Sequence, residues 1–178
     1  MKIKETNLKG VFVIENEVFS DNRGFFKETF NKQRFHDHGI SFNFVQDNFS
    51  FSNKNVIRGL HFQKSNPQGK LVWCSYGSVL DIILDIDPAS DTYGQYISVE
   101  LLDQKHLSVW IPPGYAHGFS VLSDSAIFCY KCTEPYDPND EDGIIWNDKD
   151  IGIDWRVSDP LVSSKDSNFL TLKEYHNK

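Results

Sequence analysis

Short runs of apolar residues, some alternating with polar ones and broken by Gly, Pro, Asn and Asp, repeat along most of the chain. They begin with Val11-Phe-Val-Ile14, Gly24-Phe-Phe-Lys-Glu-Thr-Phe30, Phe42-Asn-Phe-Val45 and Phe49-Ser-Phe-Ser52. They continue through Lys70-Leu-Val-Trp-Cys74, Gly77-Ser-Val-Leu-Asp-Ile-Ile-Leu-Asp-Ile86, Tyr96-Ile-Ser-Val-Glu-Leu-Leu102, Leu107-Ser-Val-Trp-Ile111 and Ala126-Ile-Phe-Cys-Tyr-Lys-Cys132. Runs of this length with turn residues between them predict an all-β sandwich or barrel. Helix is scarce. Residues 32–39, stopped by Gly39, predict one short helix, and the C-terminal tail predicts a second.

Within the strongest run, Asp81 and Asp85 are four residues apart and therefore share one face of a strand. That face is expected to look into a polar cavity, as in a small β-barrel whose mouth holds one ligand. The chain shows no repeat, low-complexity tract or linker, and residues 1–178 are expected to form one domain.

Composition narrows the classes. No run approaches the ~18 apolar residues of a membrane span, and the first residues lack the apolar core of a signal peptide, so a cytoplasmic address is expected. The net charge of −7 is spread along the chain, which argues against nucleic acid as partner, since phosphate binding needs a basic stripe. A small anionic ligand is still compatible, because Arg23, Arg58 and Lys70 could form a local cationic pocket. Cys74, Cys129 and Cys132 are odd in number and sit in or beside strand-like runs, so free thiols are expected.

Two segments carry candidate chemistry: Arg58-Gly-Leu-His61 and Ile111-Pro-Pro-Gly-Tyr-Ala-His117-Gly-Phe119. Each places a histidine in an apolar, strand-like context beside a Gly that permits close approach. A histidine in a dry pocket next to an arginine suits proton transfer on an anionic substrate. Barrels of this shape often hold a metal through a H-x-H pair, but here the segment reads His61-Phe-Gln63, and neither metal nor organic cofactor is expected. No Gly-rich phosphate loop or dinucleotide fingerprint occurs, so the arginines would have to hold any phosphate. Lys70 opens a strand directly after Gly69, which can aim an ammonium into a barrel. Taken alone, His61 and His117 could equally be hydrogen-bonded core histidines, and Lys70 a surface lysine.

With Asp21-Asn-Arg23-Gly-Phe-Phe-Lys-Glu28, Gln46-Asp-Asn48-Phe-Ser-Phe-Ser52, Tyr130-Lys-Cys-Thr133 and Ser163-Ser-Lys-Asp166 in this order, the chain resembles the dTDP-4-dehydrorhamnose 3,5-epimerase family of sugar-nucleotide epimerases. The resemblance runs from about Arg23 to Asp166. It implies a cupin-type jelly-roll β-barrel with a few short peripheral helices. It also implies a dTDP-sugar substrate and the inversion of C3 and C5 of a dTDP-4-keto-6-deoxyhexose, in the synthesis of a deoxysugar for a surface polysaccharide.

The residue roles follow by the same resemblance. His61 would be the base, oriented by Asp166. Tyr130 would be the acid, with Tyr136 of Glu134-Pro-Tyr-Asp-Pro138 as its competitor, and Lys70 would stabilise the enolate oxygen. Arg23 and Arg58 would bind phosphate through their planar forks, and Phe26 would stack on the pyrimidine. Glu28, Gln46 and Asn48 would hydrogen-bond base and sugar, and His117 would contact sugar or pyrophosphate. The segment from Arg23 to Glu28 would reach into a neighbouring subunit's site, implying a homodimer. Small departures occur at Phe49, Ile57 and Tyr115, where His, Leu and Phe are common. The acids of Glu141-Asp-Gly-Ile-Ile-Trp-Asn-Asp148 are assigned structural roles.

Three readings compete: the 3,5-epimerase; an epimerase inverting one carbon only, or acting on another 4-keto nucleotide sugar; and a non-catalytic sugar-binding cupin. A cupin ketoisomerase is a weaker rival, lacking the residue-by-residue match. The joint presence of His61, Lys70, Tyr130 and Asp166 counts against a binder, which needs no acid–base set.

Overall fold

A computed structural model describes residues 1–177. In chain order its elements are β1 (Lys2–Glu5), β2 (Phe12–Glu15), β3 (Val18–Asp21), β4 (Gly24–Lys27), α1 (Lys32–His36), β5 (Gln46–Asn53), β6 (Val56–Gln63), β7 (Lys70–Tyr76) and β8 (Ser78–Asp85). There follow β9 (Tyr96–Leu102), β10 (Leu107–Ile111), β11 (Tyr115–Val121), β12 (Ser125–Cys132), β13 (Glu141–Gly143), β14 (Leu161–Val162) and α2 (Leu172–His176). The strands form one sheet in the order β1-β2-β10-β7-β12-β5 and a second in the order β13-β6-β11-β8-β9, with β14 added to β6. The expected all-β, cupin-type jelly roll is what the chain forms, with two short helices at its periphery.

The alternation along each strand decides what faces the interior. Val72 and Cys74 of one sheet, with Val79, Ile83, Phe119 and Val121 of the other, close the apolar half of the space between them. Burial of each such aliphatic side chain contributes roughly 1.5–3 kcal/mol. The opposite face of β8, carrying Leu80, Ile82 and Leu84, is covered by the C-terminal segment with Trp155 and Leu172. Asp148 accepts the backbone N–H of Leu172, and Thr171 and Glu174 form a capping box, which fixes α2 against this layer.

Phe42–Val45 is not a strand, contrary to the sequence pattern. Phe42 and Phe44 instead lie on Trp110, with ring centroids 4.7 and 5.9 Å away, and the chain before β5 is irregular. Aromatic packing on the outer sheet face there outweighs the local strand preference. β3 and β4 pair only with each other, as a hairpin apart from both large sheets. No helix among the described residues is long and apolar enough to cross a membrane.

Candidate active site

A cavity of about 310 Å³ opens between the two sheets. From one sheet come Gln46 and Asn48 of β5, Lys70 of β7, and Phe128, Tyr130 and Cys132 of β12; from the other come Arg58 and His61 of β6, and His117 and Phe119 of β11. Gln46, Asn48 and Ser50 are spaced by two and share the inner face of β5, opposite Cys132, Tyr130 and Phe128 in the β12 register.

Arg58 and His61 need a further device. Three residues apart in a regular strand, they would point to opposite faces. Between His117 and Phe119 of β11 the chain advances two residues, while β6 advances three, from His61 to Arg58. The extra residue makes a bulge that returns Arg58 to the cavity side. Gly59 sits in it at φ +117°, and a Cβ there would come within 2.6 Å of the Gly118 Cα and 2.7 Å of the His117 carbonyl oxygen. The two strands approach this closely because Gly118 also lacks a side chain.

His61 is held from two sides. Its Nε2 lies 2.9 Å from Asp166 Oδ1, and the Phe169 ring meets it edge-on at 5.8 Å. A carboxylate only accepts, so Nε2 carries the proton and the basic lone pair is on Nδ1. Asp166 is buried, and its other oxygen accepts the Gly59 backbone N–H at 3.1 Å. Burial raises its pKa, but the hydrogen bond and charge of His61 and the contacts of Gly59 and Ser163 outweigh this and hold the carboxyl below the usual carboxylate range.

Across the cavity, burial pushes the Tyr130 phenol up, and Cys132 and Glu141 add to the effect. The group therefore keeps its proton at neutral pH and could serve as a proton donor. The Lys70 ammonium makes no hydrogen bond or ion pair among the described residues, and burial lowers its pKa against the pull of Cys132, Glu141 and Asp81. An ammonium left with so little compensation is ready to meet a developing oxyanion.

His117 forms a second histidine–carboxylate pair, with Nε2 2.7 Å from the fully buried Asp81. Burial lowers the His117 pKa and Asp81 opposes that. The polar face expected of β8 thus splits in use. Asp81 supports a cavity residue, whereas Asp85 accepts hydrogen bonds from Ser90, Thr92 and the Asp87 N–H at the far end of the strand.

Tyr136 stands at the cavity wall, and its hydroxyl donates to Glu141 at 3.0 Å. Glu141 also pairs with Lys165, and its Oε1 lies 3.9 Å from His61 Nδ1. The pairing with Lys165 agrees with the structural role assigned to that segment's acids, but Glu141 also lines the cavity. Only the long-range antiparallel pairing of β13 with β6, which sets Glu141 beside Gln63 and Gly143 beside His61, brings the residue into the cavity. Gln68 and Ser50 also line it; Ser50 lies within the Gln46–Ser52 motif, but neither is among the site residues expected from the sequence.

Arg23, Phe26 and Glu28 are not in this cavity. Arg23 pairs with Asp21 at the tip of the β3–β4 hairpin, Phe26 is 67% exposed on β4, and Glu28 pairs with Arg34 of α1. Gln63 lies two residues from His61, where a second histidine would complete a metal pair, and no cluster of three or more His, Cys, Asp or Glu positioned to hold a metal occurs among the described residues. The three cysteines are free; Cys74 and Cys132 are buried and Cys129 half-buried.

The chain is similar to known proteins over most of its length. The family model described as dTDP-4-dehydrorhamnose 3,5-epimerase matches residues 5–174. The dTDP-4-dehydrorhamnose 3,5-epimerase of Methanothermobacter thermautotrophicus is 49% identical over 173 residues, 96% of this chain and 94% of that protein. The crystal structure of dTDP-6-deoxy-D-glucose-3,5-epimerase from Legionella pneumophila, in complex with dTDP-4-keto-L-rhamnose, superposes with a TM-score of 0.94 at 42% identity, covering 97% of this chain and 93% of that one. A 3'-monoepimerase from Streptomyces bikiniensis, in complex with dTDP-quinovose, gives 0.92 at 30% identity, covering 97% and 88%.

Proposed function

Since the chain belongs to the dTDP-4-dehydrorhamnose 3,5-epimerase family, a family of isomerases, we propose that its substrate is a dTDP-4-keto-6-deoxyhexose and that its cavity inverts C3 and C5 by two rounds of proton transfer. The observation that carries this reading is the division of the cavity: His61, backed by Asp166 from the turn that follows β14, stands on one sheet, and Tyr130 and Lys70 stand on the other. Inversion requires that division, because the proton must leave one face of the sugar and return to the other.

In each round Nδ1 of His61 removes the proton from the carbon beside the ketone. The electrons of that C–H bond form the enolate C=C, and the carbonyl π pair moves to oxygen, where the Lys70 ammonium balances the charge. Asp166 stabilises the imidazolium formed on His61. Tyr130 then protonates the same carbon from the opposite face. Solvent removes the proton from His61 and restores that of Tyr130, so no cofactor is consumed. Arg58 and His117 are assigned to the pyrophosphate and sugar, and Gln46 and Asn48 to hydrogen bonds with substrate.

The whole chain acts as one domain in this reading, at a cytoplasmic address, and it works as a homodimer with the N-terminal segment exchanged. Support comes from the hairpin: Phe19, Phe25 and Phe26 are exposed on it, and so are Phe49 and Phe51 on the edge strand β5. Such a concentration of exposed aromatics suits an interface. Arg23 and Phe26, remote from their own cavity, would reach the partner's phosphate and base.

A single-carbon epimerase is the second reading, favoured by the likeness to the 3'-monoepimerase and by the two tyrosines, Tyr130 and Tyr136, at one cavity. Proton NMR of dTDP-4-keto-6-deoxyglucose in heavy water with catalytic protein separates them. Loss of both the C3 and C5 signals is expected; loss of one alone makes it a monoepimerase, and loss of neither overturns the substrate.

A further inference from the structure

The loop that carries Tyr136 is exposed from Glu134 to Asn139, yet its backbone is anchored by glutamine side chains that reach it from elsewhere. Gln63 at the end of β6 is 4% exposed. Its Nε2 donates to the Pro135 carbonyl at 3.3 Å and to the Asn66 carbonyl at 2.9 Å, and its Oε1 accepts the Asp137 N–H at 2.8 Å. One carboxamide therefore engages both residues that flank Tyr136. Gln46 completes the hold by accepting the Tyr136 N–H at 2.8 Å.

A buried carboxamide is costly unless its donors and acceptor are engaged. Here both amide hydrogens and the oxygen are used, and two of the three bonds go to this loop. An apolar side chain of the same size would fill the space and remove the two bonds that hold Pro135 and Asp137, leaving the Gln46 bond to the Tyr136 N–H and the Gln68 bond to the Glu134 carbonyl. From the tethered backbone the Tyr136 side chain reaches the cavity wall and Glu141, which lies beside His61.

We infer that Gln63 is a positioning residue for substrate binding. It fixes Tyr136 at the cavity before substrate arrives, so that binding need not bear the entropy of ordering that loop. The inference rests on the epimerase reading for the identity of the substrate, but the tether itself is a property of the free protein.

Two measurements test it, both on the full chain. In the first, hydrogen exchange of the Tyr136 and Asp137 amides is followed without ligand in wild type and in Gln63→Met, a substitution that keeps volume and removes all three bonds. Protection in wild type and its loss in the variant are expected, with amides of β8 unchanged. Equal exchange in both proteins overturns the inference whatever the substrate is. In the second, kcat and KM for dTDP-4-keto-6-deoxyglucose are measured for Gln63→Met, Tyr136→Ala and the double variant. Gln63→Met should raise KM roughly thirtyfold, the equivalent of losing two hydrogen bonds worth about 1 kcal/mol each at about 1.4 kcal/mol per tenfold, with a smaller change in kcat. In the Tyr136→Ala background it should add nothing, because its effect passes through Tyr136. Additive KM effects, or a KM that does not move, overturn the inference. A wild-type protein inert on this sugar sinks the substrate assignment alone and leaves the exchange measurement to decide the tether.

Discussion

His61 Nε2 and Asp166 Oδ1 lie 2.9 Å apart although 105 residues of chain separate them. The bond commits the Nε2 proton to the carboxylate and leaves Nδ1 as the basic nitrogen. His61→Asn should therefore lower kcat by about 10²–10⁴, the usual contribution of a positioned general base. Affinity for dTDP should hardly change, since the nucleotide is assigned to other residues. Steady-state turnover and titration calorimetry on the same preparations check both halves.

The same bond links stability to pH. The Asp166 carboxyl is held below its ordinary value of 3.8 in the folded protein. A lowered carboxylate pKa means that the folded state binds this proton less tightly than the unfolded chain. The stabilisation is thus fully present above the unfolded value and is lost as pH falls through the folded one. The difference in denaturation midpoint between wild type and Asp166→Asn should be constant near neutrality and shrink below about pH 4. A difference that stays flat through that window would show that the carboxylate charge contributes nothing.

Abstraction and protonation fall to different residues, so they can be uncoupled. With Tyr130→Phe in heavy water, His61 should still exchange the C3 and C5 protons, while deuterium returns to the original face and inversion falls by about 10²-fold or more. Tyr136→Phe should keep inversion. The opposite pattern would assign the acid to Tyr136.

Lys70 should trade stability for chemistry. Burial lowers its pKa below 10.5 in the folded state, so its charged form costs stability at neutral pH, and the cost fades as pH rises through the folded value. Lys70→Met should raise the melting temperature at pH 7 and lower kcat by about 10²–10³, the range for loss of one oxyanion-stabilising group. Calorimetric melting and turnover assays read the two effects.

Gly59 ties fold to site. An alanine there would keep the φ of +117° and bring its Cβ within 2.6 Å of the Gly118 Cα. Gly59→Ala should cost about 2 kcal/mol or more in chemical denaturation. Because the bulge sets the directions of Arg58 and His61, residual folded protein should also show reduced turnover.

How much was legible depended on range. The strand runs from Lys70 to Cys132 were readable because side-chain direction alternates with a period of two and is a local property. Phe42–Val45 misled for the same reason: its local pattern favours a strand, and the competing force is the distant Trp110 surface. The pairing of His61 with Asp166 and the choice of Tyr130 were reached through family resemblance, since nothing local to Ser163-Ser-Lys-Asp166 indicates a partner on β6. Glu141 was assigned away from the site because one acid in a turn-rich segment looks like any other.

By itself, then, the sequence determined the β architecture, the two short helices, the shared face of Asp81 and Asp85, and an ammonium at Lys70 placed to enter the barrel. Only the tertiary structure decided that a bulge at Gly59 returns Arg58 to the side of His61, that β13 carries Glu141 to the cavity, and that Gln63 secures the Tyr136 loop. The reason is physical. Alternation fixes which face a residue takes, whereas register, bulges and loop tethers depend on hydrogen bonds between segments tens of residues apart, and those form only when the two sheets close on each other.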